Sequence, residues 1–145
     1  MRYLNDTVKA ALAALPIAIS GEGSAFSGPI IDRRNYESAL FTVMTGVSTG
    51  APTRTGVAFK VQTAALSTGV FADVLDENSA VRFTTSISGE RAAIVGTVAH
   101  IDVDLTACER YIKLVSTPSW PDGTTPSVLI GATCILGDAK VLPAV

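Results

Sequence analysis

The 145-residue sequence is short of the residues that usually carry chemistry, with one histidine, two cysteines and one tryptophan. Any Ser-His-Asp or Cys-His arrangement would have to use His100, and no G-x-S-x-G elbow accompanies it. Two thiols do not make a disulfide scaffold. Cys134 lies inside an apolar run and reads as a small buried hydrophobe, Cys108 stands beside Glu109 and Arg110, and both are expected to be reduced. Phosphate-binding patterns are missing too: no G-x-x-x-x-G-K-[ST] occurs, and Gly21-Glu22-Gly23 precedes no apolar helix. Charge is scarce, at 17% of residues where about a quarter is usual. The net charge of −2 leaves no basic footprint for nucleic acid, and no run of like charges forms a tail. The apolar stretch 10–19 is too short for a bilayer, which needs ~20 residues. Its likeness to a secretory signal is spoiled by Asp6 and Pro16. Neither nucleic acid nor a membrane is an expected partner.

Hydrophobic residues, by contrast, make up 48% of the chain. A chain this apolar and this weakly charged is expected to hide part of its surface against neighbours, as an oligomer or in a larger assembly. Its length suits one domain with a proper core.

Helix propensity is concentrated in residues 7–15, rich in Ala and Leu and closed by Pro16. Residues 1–19 are therefore expected to form an N-terminal arm, extended or with a turn or two of helix. Residues 20–29 read as a Gly/Ser-rich connector, and 30–145 as the folded body. The body is patterned as strands. Residues 36–45, 57–65, 70–74, 81–88, 95–105, 110–117 and 128–136 are the candidates, with 140–142 as a last short edge. In 95–105 the alternation is clearest: Val95, Ala99, Ile101, Val103 and Leu105 face one way, His100, Asp102 and Asp104 the other. Residues 128–136 are apolar on both faces, which predicts a central strand or a subunit interface. Turn chemistry at fairly regular spacing, Pro121-Asp122-Gly123 above all, completes an all-β reading: a single β-sandwich or jelly-roll-like domain with an N-terminal arm.

The candidates for chemistry are each set beside a structural role. His100, Asp102 and Asp104 would stand about 7 Å apart on one strand face, which could begin a divalent-metal site; a solvated outer sheet face accounts for them better, and no further ligands stand out. The acid pairs Asp76/Glu77 and Asp102/Asp104 sit by turns or on solvent faces, without the apolar setting that tunes a general acid. Arg33-Arg34 reads as a salt-bridged surface pair. Trp120, between Pro118 and Pro121, reads as a lid over the end of the core, or else as an exposed aromatic that meets a partner or a glycan. No catalytic residues, metal or cofactor are expected.

Three segments, taken in order, carry a family resemblance. They are Ile31-Asp32 with Tyr36 and Ser38, then Phe71-Ala72-Asp73-Val74, then Arg110-Tyr111-Ile112-Lys113-Leu114. The pattern resembles small proteins encoded among the head genes of tailed bacteriophages, over residues 16–117. The resemblance implies a non-enzymatic capsid decoration or cement protein, a β-sandwich that associates with itself as a homotrimer and binds the major capsid protein. It implies a place on the capsid surface of the virion after synthesis in the host bacterial cytoplasm. The chain departs from the pattern at residues 63–69, where relatives often carry a Ser-Asp-Asp-Gly turn, so that loop's contacts do not carry over. Leu12, Leu15 and Ile17 in the arm are the candidate partner-binding residues. Two alternatives share these features in part: another virion component, such as a head-fibre base or tail protein, and a carbohydrate-binding β-sandwich module. Tyr36 and Tyr111 are expected to bury their rings and fix register, and Arg110 to pair with Asp32 or Asp73.

Overall fold

A computed structural model describes residues 7–140 as two antiparallel sheets packed face to face. The strands are β1 (Lys9–Ser20), β2 (Phe26–Ser27), β3 (Ile31–Asp32), β4 (Tyr36–Thr49), β5 (Arg54–Ala64), β6 (Ala72–Asp73), β7 (Thr84–Glu90), β8 (Val98–Asp104), β9 (Tyr111–Ser119) and β10 (Ser127–Ala139). One sheet runs β1-β10-β4-β8. The other runs β2-β9-β5-β6, with β3 also on β9 and β7 also on β5. The all-β sandwich expected from the alternation is present, and its only helical turn among the described residues is a 3-10 turn, Leu105–Ala107.

The core forms where alternate residues of both sheets meet. Phe41 and Val43 of β4 face Val57, Phe59 and Val61 of β5, with Ile112 and Leu114 of β9 and Val128, Ile130 and Leu136 of β10 beside them, all buried. Period-two patterning forces this arrangement, because a strand with one apolar face can bury it only against another. β10 is the central strand expected of residues 128–136: its backbone pairs with β1 on one side and β4 on the other.

The N-terminal arm is the main correction. Residues 1–19 were expected to lie apart from the body, extended or with a turn or two of helix; instead Lys9–Ser20 form β1, paired with β10 from Lys9↔Leu136 to Ser20↔Ser127. Ala13, Ala14 and Ile19 belong to the core. Two register shifts, between Leu12 and Ala14 and between Ala14 and Ile17, bend the strand. Pro16 falls within the second, where the missing N–H costs no ladder bond. Residues 1–6 of the expected arm lie outside the described residues, as do 141 and 142 of the expected last edge strand. The connector is likewise part of the sandwich, for it carries the chain from one sheet to the other and contributes β2. Gly28 makes that crossing possible: a Cβ there would run into the backbone carbonyl of Ala13.

Pro118 does not end β9, as expected, but lies inside it, opposite Val57. Its carbonyl accepts the Gly23 N–H at 2.9 Å. In a strand, the nitrogen and carbonyl of one residue point to the same side. The ring therefore replaces an N–H on the side away from β5, where β2 has already stopped.

Candidate contact surfaces

Of the segments that carried the resemblance, Asp32, Asp73 and residues 111–114 lie on the second sheet, whereas Tyr36 and Ser38 lie on β4 of the first. Asp32 on β3 accepts from Arg110 through Nε, at 3.1 and 3.2 Å, and through Nη2 at 2.6 Å, joining the first segment to the third. Arg110 also lies 4.9 Å from the centre of the Tyr111 ring. Asp73, the other partner considered for Arg110, instead takes Lys60 Nζ and Gln62 Nε2, each at 2.8 Å, and so ties β6 to β5. The Arg110 guanidinium holds the Asp32 carboxyl below its ordinary pKa, and the hydrogen bond from Lys60 does the same for Asp73. Tyr36 is buried as expected, whereas Tyr111 is only half buried. These residues hold the sheet in register.

Arg33 does not form the surface ion pair expected of it. Its guanidinium donates to three backbone carbonyls: Glu109 at 3.1 Å, Tyr36 at 3.5 Å and Cys108. It thereby pins the start of β4 to the loop before β9. The arrangement uses the guanidinium's planar fork of donors, and no acidic side chain needs to lie within reach.

His100, Asp102 and Asp104 stand on the outer face of β8 as the alternation required, all exposed. His100 Nδ1 lies 3.3 Å from Thr42 Oγ1. Asp104 accepts from Thr106 N at 3.0 Å and Thr106 Oγ1 at 2.5 Å, which lowers its pKa, and Arg82 lies 3.7 Å away. Among the described residues no three His, Cys, Asp or Glu side chains converge as a metal site would require. Both cysteines are buried and unpaired. Burial raises the Cys108 thiol to about 11 and that of Cys134 to about 12, so neither is a ready nucleophile.

Trp120 is a lid, only 4% exposed and part of the core. Its loop is stitched down by Asp122, which accepts from Thr53 N and Thr53 Oγ1 at 2.8 Å each, and by Thr124 N on the Gly50 carbonyl at 2.9 Å. Gly50 has φ +77°, and a Cβ there would lie 2.5 Å from the Thr124 oxygen. Beside the indole an open cavity of about 630 Å³ is lined by Ser20, Glu22, Asp122 and Ser127 among others.

Among the described residues thirteen large hydrophobic side chains are exposed. The candidate partner-binding residues are among them, Leu12 at 44%, Leu15 at 59% and Ile17 at 49% exposure. β1 presents them in two directions. Leu12 pairs with Thr133 on the outer sheet face. Leu15 and Ile17 line a groove with Phe26 and Pro29 at the seam between the two sheets. A second exposed group, missed from sequence, is Leu66 and Val70 at the tip of the loop after β5, Val70 being 93% exposed. The unmatched loop 63–69 was the only signal there.

No protein-family model and no curated protein matches the chain in sequence. Solved structures do match in fold. The PBSX exported protein XepA aligns with a TM-score of 0.54 at 11% identity, over 94% of this chain and 39% of that one. A VP2 protein of infectious bursal disease virus in T=1 particles aligns at 0.51 and 12% identity, over 92% of this chain and 32% of that one. The chain thus spans about two fifths of XepA and a third of VP2. Its fold is a jelly-roll-like β-sandwich, similar to parts of XepA and of VP2.

Proposed function

We propose that this chain is a structural component of a virus particle, which decorates a tailed-phage head from outside and strengthens it as a cement protein. The observation that carries the reading is exposed apolar side chains grouped on a well-formed sandwich: Leu15 and Ile17 share one groove with Phe26, and Leu66 and Val70 stand together at the tip of one loop. The head-gene resemblance of the three segments supports it, and so does a fold similar to that of VP2 in T=1 virus particles. On this reading the partners are the major capsid protein and further copies of the chain, the place is the capsid surface, and no catalysis or cofactor is involved. Repeated weak contacts on a symmetric shell sum to a large stabilisation, because each copy clamps subunits that are already close together. A head-fibre base or tail protein would use the same surface. A sugar-binding module loses its main support, since the indole of Trp120 is buried in the core. Quantitative mass spectrometry of purified particles tests the proposal: the chain should appear in fixed ratio to the major capsid protein. Its absence from particles, or a handful of copies per particle, would reject decoration.

A further inference from the structure

Each sheet of a sandwich ends in edge strands, whose unpaired backbone groups can take up another chain. The two edges of the β1-β10-β4-β8 sheet differ. β1 is blunted by Pro16 and two register shifts. β8 has neither: it follows β4 in unbroken register from Ser38↔Asp104 to Met44↔Val98. Among the described residues no further strand is paired with it. The alternation of an antiparallel ladder fixes which of its groups are left over. Thr45 N donates to the Thr97 carbonyl at 3.1 Å, so Thr97, Ala99, Ile101 and Val103 turn their backbone groups toward β4. Val98, His100, Asp102 and Asp104 turn theirs outward, and the Asp104 carbonyl there accepts from Cys108 Sγ at 3.8 Å.

The side chains of those outward residues all stand exposed on the outer face of the sheet. When β8 of a second copy pairs antiparallel with this edge, outward residues must oppose outward residues, which leaves three registers near the middle of the strand. One centred on Asp102 sets like charges directly opposite, a destabilising pair. One centred on His100 sets imidazole against imidazole. The third, centred on Ile101, places His100 of each copy opposite Asp102 of the other, twice over. Both pairs are of the kind that exchanges its N–H and C=O groups. In that register Asp104 faces Val98, and Arg82, 3.7 Å away, already meets the Asp104 charge. Thr42 Oγ1 lies 3.3 Å from His100 Nδ1. With Nδ1 accepting from that hydroxyl, Nε2 carries the ring proton and can donate to the facing carboxylate. On the inner face Ile101 meets Ile101 and Ala99 meets Val103, so apolar opposes apolar.

We infer that β8 is the edge through which two copies of this chain pair, antiparallel and centred on Ile101, so that the four-stranded sheet of one continues into that of the other. The pair forms in free protein and needs no phage head, so it can stand or fall apart from the decoration reading. It also differs from the three-fold association implied by the resemblance.

A seven-residue edge buries less than the ~800 Å² per partner of a tight complex, so the dissociation constant is expected to be about 100 µM. Sedimentation equilibrium of the full chain from about 10 µM to about 1 mM should then show the mass rise from one chain toward two. Residue-resolved hydrogen exchange over the same range should show the His100 and Asp102 amides gaining protection, whereas the Ile101 amide, turned toward β4, is protected throughout. His100→Asp sets Asp against Asp in both pairs and should weaken association by about ten-fold or more, with unchanged circular dichroism. Adding Asp102→His reverses each pair and should return the constant to within about three-fold of the parent. A parent chain that keeps single mass at the highest concentration, a three-fold mass, or no gain of protection at His100 and Asp102 would overturn the inference. So would a His100→Asp chain that pairs as tightly as the parent, or a double variant no better than His100→Asp.

Discussion

Ile130→Asp is expected to leave the chain without a stable folded state. Ile130 is 3% exposed, in the middle of the central strand β10, between Thr45 of β4 and Ile17 of β1. No cationic side chain belongs to the core around it. The substitution removes about 1.5–3 kcal/mol of apolar burial. It also demands burial of an unpaired carboxylate, or its protonation, at a further cost of several kcal/mol. Together these reach a typical domain's whole margin of about 5–15 kcal/mol. Thr133→Asp, three residues along the same strand but exposed on the outer face, should change stability by about 0.5 kcal/mol or less. Urea titration followed by circular dichroism separates the two. Cooperative unfolding of Ile130→Asp near the parent midpoint would mean that β10 is not buried as described.

Removal of residues 1–19 should be nearly as damaging. Were the segment an arm, its loss would leave the body intact and remove only a contact. As β1 it supplies Ala13, Ala14 and Ile19 to the core and satisfies one whole backbone edge of β10. Deletion would strip that edge along most of a 13-residue strand and offer it to other chains. The truncated protein is expected to be largely insoluble, or to lose cooperative unfolding. A soluble truncated chain with the parent's urea midpoint would restore the detachable arm. The contact role of Leu12, Leu15 and Ile17 is therefore better probed by serine at these three exposed positions, which leaves the strand in place.

The misreading of β1 shows where local pattern stops being informative. The run of Ala and Leu before Pro16 has high helix propensity, and nothing nearby in sequence argues for a strand. Its partner is Ser127–Ala139, more than a hundred residues away, and tertiary pairing overrode the local preference. β8 lay at the other extreme, because one buried face and one solvated face leave a period of two in the residues themselves. Gly28 and Pro118 read as loop and terminator, and their real roles depend on which strand lies alongside. The Asp32–Arg110 pair was foreseen because the choice of carboxylates was short. Arg33 was misjudged because its acceptors are backbone carbonyls, which every residue has and no sequence marks. For the contact surface, Leu12, Leu15 and Ile17 were named for the wrong structural reason and yet are exposed. Leu66 and Val70 could not be distinguished from buried apolar residues before the loop was placed.

The claim at the centre of this account is that the sandwich binds the outside of a phage head. Co-sedimentation of purified chain with heads assembled without it measures this directly, using the parent and a variant with serine at Leu12, Leu15 and Ile17. The parent should pellet with the heads to a saturating, fixed stoichiometry, and heads that carry it should survive heating or dilution that opens bare ones. A folded parent chain that stays in the supernatant at every concentration, with no effect on the heads, would contradict the account.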